Sequence, residues 1–252
     1  MYKKYIKDEE LIKKLELLHE KKYKLKEWID RNKEESDFFA KHKEPYIVEL
    51  AGMPRTGKTV SSERVFEFFK MANFTVLRTK EPAQIVKERY DIRNLSNIEF
   101  NDKTLEISKE QLSDCINQKP DIILQDRGIF DNYIWYQMMY ERGEISYKTY
   151  LEKMSNLNES VEKIDSLYLM TADPEVIVQR DYADQIFLEP RKKTTIENVK
   201  MLRNGMNNIA SNMDSKNIIN LDTSNINEVD TAIIISEHIL KGMAKKLQKE
   251  IL

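Results

Sequence analysis

The chain has 252 residues, 33% of them charged and 40% hydrophobic, with a formal net charge of −2. That is room for one sizeable α/β domain plus an extension, and the balanced charge excludes a global pull toward nucleic acid or a membrane surface. The single cysteine, Cys115, excludes an internal disulfide and fits a reducing cytoplasm, while three scattered histidines (His19, His42, His238) make no zinc site.

Residues 1–44 hold no glycine or proline and are dominated by lysine and glutamate. No apolar core follows Met1-Tyr2-Lys3-Lys4-Tyr5, so a secretory signal is not expected, and no apolar run is long enough to span a bilayer. Leu11, Leu15, Leu18, Tyr23, Leu25, Trp28 and Ile29, followed by Phe38-Phe39, give an irregular apolar stripe. The pattern predicts one long helix or a helical hairpin. Such an arm could pack on the rest of the chain, join two copies as a homodimer, or serve a partner; nucleic acid is disfavoured because acids balance the lysines.

From Tyr46 onward apolar strands alternate with amphipathic helices. Tyr46–Ala51 is a β-branched run that reads as a strand. Gly52-Met53-Pro54-Arg55-Thr56-Gly57-Lys58-Thr59 then spells G-x-x-x-x-G-K-[ST], the P-loop pattern in which backbone N–H groups wrap a nucleotide's phosphates. Val60, Val65, Phe66, Phe68 and Phe69 follow at helical spacing. Strand, loop and helix together supply the cradle and a helix N-terminus with partial positive charge. Gly52, Pro54, Arg55, Thr56, Gly57, Lys58, Thr59 and Val60 are therefore the nucleotide-binding candidates. Lys58 supplies charge to the phosphates and the Thr59 hydroxyl is a candidate Mg²⁺ ligand.

Thr75–Arg78 predicts the second strand, and Thr79-Lys80-Glu81-Pro82 ends it. Glu81 is placed to accept a proton from an attacking hydroxyl, or to fix a polar group of a substrate. The polar stretch Arg89–Lys103 has little apolar period and predicts an exposed loop. Ile122–Gln125 predicts a third strand ending in Asp126-Arg127-Gly128. Asp126 is the candidate metal-side acid beside Thr59, and Arg127 a phosphate-side cation. The aromatics Phe130, Tyr133, Trp135, Tyr136 and Tyr140 sit at helical spacing, where core packing competes with stacking on a substrate. Leu167–Met170 and Ile218–Leu221 predict the last strands, with Asp173-Pro174 opening a helix between them. This βα rhythm predicts a three-layer α/β fold on a parallel sheet, with the motif residues gathered at the strands' carboxyl ends.

Glu81-Pro82, Asp126-Arg127-Gly128 with its aromatic helix, and Leu167-Tyr168-Leu169 through Asp173-Pro174 to Arg180 together resemble the deoxynucleoside kinase and thymidylate kinase group. Ile218-Ile219-Asn220-Leu221-Asp222 resembles that group's last strand. The resemblance runs from about Pro45 to the C-terminus and implies a P-loop NTPase domain over 45–252, with residues 1–44 as an extension. It further implies Mg-ATP as phosphoryl donor, a nucleoside or nucleotide acceptor, and a lid near 180–193. Carried over by position, Lys58, Thr59 and Asp126 serve ATP and Mg²⁺, and Glu81 is the base. Arg127 binds phosphate or acceptor, Arg180 neutralises transferred charge, and Asp222 lies near the adenine. The acceptor side departs from the group. The stretch Leu105–Leu112 holds Gln111 outside the Phe-Gln context that reads a base, and Arg180 is separated from Arg191-Lys192-Lys193. A regulatory nucleotide-dependent switch, or a kinase of a non-nucleoside acceptor, is the alternative reading.

Overall fold

The β-branched and apolar runs become five strands: β1 Tyr46–Gly52, β2 Val76–Arg78, β3 Ile122–Asp126, β4 Ser166–Thr171 and β5 Ile218–Asp222. Ten helices lie among the described residues: α1 Glu9–Glu35, α2 Lys58–Lys70, α3 Pro82–Arg89, α4 Asn97–Asn117, α5 Ile129–Glu141, α6 Tyr147–Met154, α7 Leu157–Glu162, α8 Pro174–Ala183, α9 Ile196–Ser211 and α10 Glu228–Lys246. The computed structural model describes residues 8–35, 44–183, 195–213 and 217–247. Phe38-Phe39 and the basic group at Arg191–Lys193 lie outside them.

All strand pairings are parallel, in the order β2-β3-β1-β4-β5. Parallel neighbours need helical crossovers that cover both sheet faces, which is why β1, β3 and β4 are buried along their whole length. Alternate side chains of β1 divide between two cores. Ile47 and Ala51 join Phe130, Tyr133 and Ile134 of α5 and Leu202 and Met206 of α9. Val48 and Leu50 join Val65 and Phe69 of α2 and Ile235 and Ile239 of α10. The three layers of the expected α/β fold are therefore helix, parallel sheet, helix.

The N-terminal helix belongs to the second of these cores. Its buried Leu18, Leu25 and Ile29 pack in the same cluster as Phe69, Phe74 and Leu240. The buried Lys22 ammonium lies 4.0 Å from the centre of the Phe68 ring and donates to the Phe68 carbonyl at 2.8 Å; Tyr23 Oη donates to Met71 O at 3.3 Å. These carbonyls close α2, so α1 supplies donors where a helix end leaves acceptors unsatisfied. Truncating the fully buried Leu25 to alanine should destabilise the chain by about 2–5 kcal/mol in reversible denaturant unfolding. A change below about 0.5 kcal/mol would mean that α1 is not part of the cooperative fold.

One expectation fails. Arg89–Lys103 is not an exposed loop: a short 3₁₀ turn spans Ile92–Asn94, and α4 starts at Asn97. The cause is a capping box, in which Ser96 Oγ accepts from Glu99 N while the Glu99 carboxylate accepts from Ser96 N and Oγ. Asn101 is buried as a result. Cys115 is half-buried at the edge of the first core, as a small apolar side chain would be. Among the described residues, no helix is long and apolar enough to cross a membrane.

Candidate functional site

The turn after β1 needs a glycine. Gly52 has φ +122°, and a Cβ there would lie 2.4 Å from Met170 O of β4. The chain then curls through Arg55 (φ +59°) and Gly57 (φ +83°), and α2 begins at Lys58 with Gly57 as its N-cap. The loop is braced inside by Thr56 Oγ1 donating to Met53 O at 2.9 Å. Lys58 is buried and its ammonium donates to Gly52 O at 3.1 Å, to Met53 O, and to Thr56 Oγ1 at 3.3 Å. Burial, reinforced by the Arg127 charge, pushes its pKa down to about 7, against the opposing pull of Asp131, Asp126 and Glu81. Pro54 is half-buried and lines a cavity beside the loop, whereas Thr59 is exposed and Val60 half-buried in the first turn of α2.

The ends of β2 and β3 bring the next residues to this loop. Glu81 is the N-cap position of α3, with Pro82 at the first helical position. The turn is held from α4, where Gln111 Oε1 accepts from Lys80 N at 3.1 Å and Gln111 Nε2 donates to Lys80 O at 3.2 Å. Gln111, which fits no base-reading pattern in the sequence, thus braces the Glu81 turn. Asp126 is buried at the end of β3, in register with Leu50 of β1. Arg127 leaves the strand with φ +58°, and its backbone N–H donates to Leu50 O at 3.1 Å. Its Nε pairs with Glu81 Oε1 at 3.1 Å, while Nη1 donates to both Asp131 oxygens (3.1 and 2.9 Å) and to Gly52 O at 3.3 Å. Glu81, Asp126, Arg127 and Lys58 therefore meet at one sheet edge.

Arg180 and Arg55 lie on the α8 side of the loop. Arg180 Nη1 donates to Arg55 O and Thr223 Oγ1, both at 3.2 Å, and Nη2 to Thr223 O at 2.6 Å. Its guanidinium thus ties the P-loop to the end of β5. Arg55 Nε pairs with the buried Asp181 at 2.7 Å. Asp222, at the end of β5, accepts from Ser224 N at 2.8 Å and pairs with Arg203 at 3.4 Å.

A cavity of about 390 Å³ opens beside Glu81 and Arg127. Phe100, Asn101 and Thr104 of α4 and Asn132, Trp135 and Met139 of α5 form much of its wall. Asn132 Nδ2 donates to Gly128 O at 2.8 Å and Ser108 Oγ at 3.1 Å, whereas its buried Oδ1 has no hydrogen-bond partner among the described residues. Of the aromatic group, Trp135 lines the cavity. Phe130, Tyr133 and Tyr136 are core, with Tyr133 Oη 3.2 Å from Ser160 Oγ and Tyr136 Oη donating to Asp102 at 2.5 Å.

Two buried carboxylates of this region escaped the sequence reading. Asp131, one turn after Arg127, holds Arg127 and also accepts from Gly52 N at 2.9 Å. The spacing of four between Arg127 and Asp131 was the available signal. Glu49 is the single charge in the otherwise apolar run of β1, and is completely buried. Its signal was a carboxylate at an inward position of a central strand.

Magnesium takes oxygen ligands, typically one or two from protein with the rest from phosphate and water. Thr59 and Asp126 offer a hydroxyl and a carboxylate of that kind, and among the described residues no cluster of three or more His, Cys, Asp or Glu could hold an ion unaided. The donor set fits an ion that arrives with phosphate.

No protein-family model and no curated protein sequence matches the chain. Solved structures do. A thymidylate kinase from Candida albicans superposes with a TM-score of 0.54 at 13% identity, over 79% of this chain and 94% of that one. A deoxyadenosine kinase from M. mycoides with bound dATP gives 0.55 at 15% identity, over 77% and 98%. A further structure of deoxyadenosine kinase from M. mycoides, with products dCMP and a flexible dCDP, gives 0.57 at 15% identity, over 77% and 99%. At these identities the likeness establishes the fold alone: the chain shares the helix–parallel sheet–helix architecture of these structures.

Proposed function

We propose that the chain is a Mg-ATP-dependent phosphotransferase acting on a nucleoside or nucleotide. The observation that carries this reading is the Glu81–Arg127 pair, which lines one cavity and lies within electrostatic reach of the P-loop lysine Lys58, as does Asp126. A phosphoryl transfer asks a protein mainly for positioning and charge neutralisation, with a base for the acceptor's proton. The P-loop amides and Lys58 would hold the donor's phosphates. Thr59 and Asp126 would hold magnesium, which when bound would supply neutralisation of the donor's phosphate charge. Glu81 would take the proton of the acceptor hydroxyl, and Arg127, which pairs with that carboxylate at 3.1 Å, would align it and offset charge on the transferred group. Asn101 and Thr104 offer hydrogen-bonding partners to a small polar acceptor, with Trp135 and Phe100 as apolar surfaces for a flat ring. The structural neighbours support this class, since they are kinases by name and one holds dATP and another dCMP and dCDP.

The test is ATP consumption with magnesium, with and without a panel of nucleosides and nucleoside monophosphates. Stimulation by at least about tenfold with one acceptor is expected. Hydrolysis indifferent to every acceptor would overturn the reading in favour of a nucleotide-dependent switch.

A further inference from the structure

The central strand of the sheet carries a carboxylate where an aliphatic side chain would pack. Glu49 lies on the same side of β1 as Ile47 and Ala51, towards α5, and has no exposed surface. Its Oε1 accepts from Gly128 N and Asp131 N, both at 3.0 Å, and its Oε2 from Phe130 N at 3.1 Å. These are the N-cap, N2 and N3 amides of α5.

A helix start leaves such N–H groups without partners. In the usual solution the N-cap side chain takes the N2 or N3 amide, and an acid at N3 reaches back to the N-cap amide. The N-cap here is Gly128, which has no side chain to offer. A single carboxylate from another strand therefore does both jobs. The acid at N3, Asp131, is released from the capping role and turns to Gly52 N at 2.9 Å and Arg127 Nη1 at 2.9 Å.

We propose that Glu49 is the positioning residue of this site, fixing the first turn of α5 so that Asp131 can tie the start of the P-loop to Arg127. Gly128 is its complement, because a Cβ there would sit 2.8 Å from Glu49 Cδ and Oε2 and 2.9 Å from Gln125 Cδ. The carboxyl is expensive to keep in this place. Burial pushes its pKa up to about 7, against the three amides that favour the charged form and with the Asp131 carboxylate adding repulsion. A group so costly in a central strand is accounted for by the three amides it satisfies. The effect on Arg127 in catalysis rests on the phosphotransferase reading, whereas the link from Glu49 to the P-loop does not.

The experiment reads that link directly. Amide hydrogen exchange would be followed by mass spectrometry on the full chain, comparing wild type, Glu49→Gln and, as a distant control, Leu25→Ala. Glu49→Gln should speed exchange at least about tenfold in both segments 127–132 and 50–57, beyond any change in global stability, while Leu25→Ala singles out neither. Faster exchange confined to 127–132, with 50–57 as in wild type, would overturn the proposal and leave Glu49 a local cap. In case Glu49→Gln fails to fold, Glu49→Asp tests the same idea, since it keeps the carboxylate and withdraws it by one methylene from the three amides. It should speed exchange in both segments, and a change confined to 127–132 would overturn the proposal. Calorimetry with Mg-ATP adds a functional arm, with affinity about tenfold weaker in Glu49→Gln and unchanged in Leu25→Ala; equal weakening in both would count against a positioning role. Wild-type protein that binds no Mg-ATP would sink the phosphotransferase reading and leave the exchange result standing.

Discussion

Lys58→Ala should lower phosphoryl transfer by at least about 10³-fold, the scale seen when a fixed cation is removed from a transferring phosphoryl group. Lys58 is buried, and three oxygens of its own loop (Gly52 O, Met53 O and Thr56 Oγ1) take its donors. An ammonium in that position costs desolvation energy, as its lowered pKa of about 7 shows. Nothing about the loop's own folding requires a charge there, because the Gly52 and Met53 carbonyls could bond to water or to neutral donors. A phosphate would supply the counter-charge. Alanine should therefore leave the fold intact, or slightly more stable, while removing turnover. The measurement is kcat with the best acceptor of the panel, alongside thermal unfolding. Turnover within tenfold of wild type would sink the mechanism, and loss of folding would reveal a structural lysine instead.

What could be read before the structure divides along a physical line. The strands were legible because β-branched runs such as Tyr46-Ile47-Val48 and Ile122-Ile123-Leu124 must be buried, and five of them with helices between leave few architectures. The P-loop was legible because its chemistry depends on local backbone geometry, and Gly52 at φ +122° shows why the residue type is constrained. The Glu81–Arg127 contact was legible only as a shared sheet edge, since it spans two strands separated by the whole of α3 and α4. Glu49 was not legible at all as a cap. Its three partners lie about 80 residues away, and the pattern-reading of a strand counts apolar positions, so one charge among them passes as noise. The start of α4 was missed for a different reason: a capping box at Ser96 and Glu99 overrode a polar, aperiodic stretch that reads as loop. The apolar stripe of α1 announced a helix, while the surface it covers, α2 and α10, is set by tertiary packing that no local pattern encodes.

Glu81→Gln should lower kcat by about 10²–10⁴-fold with little change in apparent affinity for either substrate, which is the range for removing a general base. The glutamine is a demanding probe because it keeps most of what the structure shows Glu81 doing. Its carbonyl oxygen can still accept from Arg127 Nε across the 3.1 Å contact, and the backbone of the turn stays braced by Gln111 on Lys80. What it cannot do is take a proton. If Glu81 only holds Arg127 in place, Glu81→Gln should cost less than about tenfold, because Arg127 is also anchored by both oxygens of Asp131. Asp131→Asn provides the contrast. It weakens the second anchor of Arg127 and the link to Gly52 N while leaving a base at position 81, so its loss should fall on nucleotide affinity as well as on kcat. A large kcat effect in Glu81→Gln beside a mixed effect in Asp131→Asn would separate proton transfer from positioning within a single cluster of charges. Matching kinetic profiles in the two variants would mean that both carboxylates serve Arg127 alone, and the acceptor's proton would then need another destination.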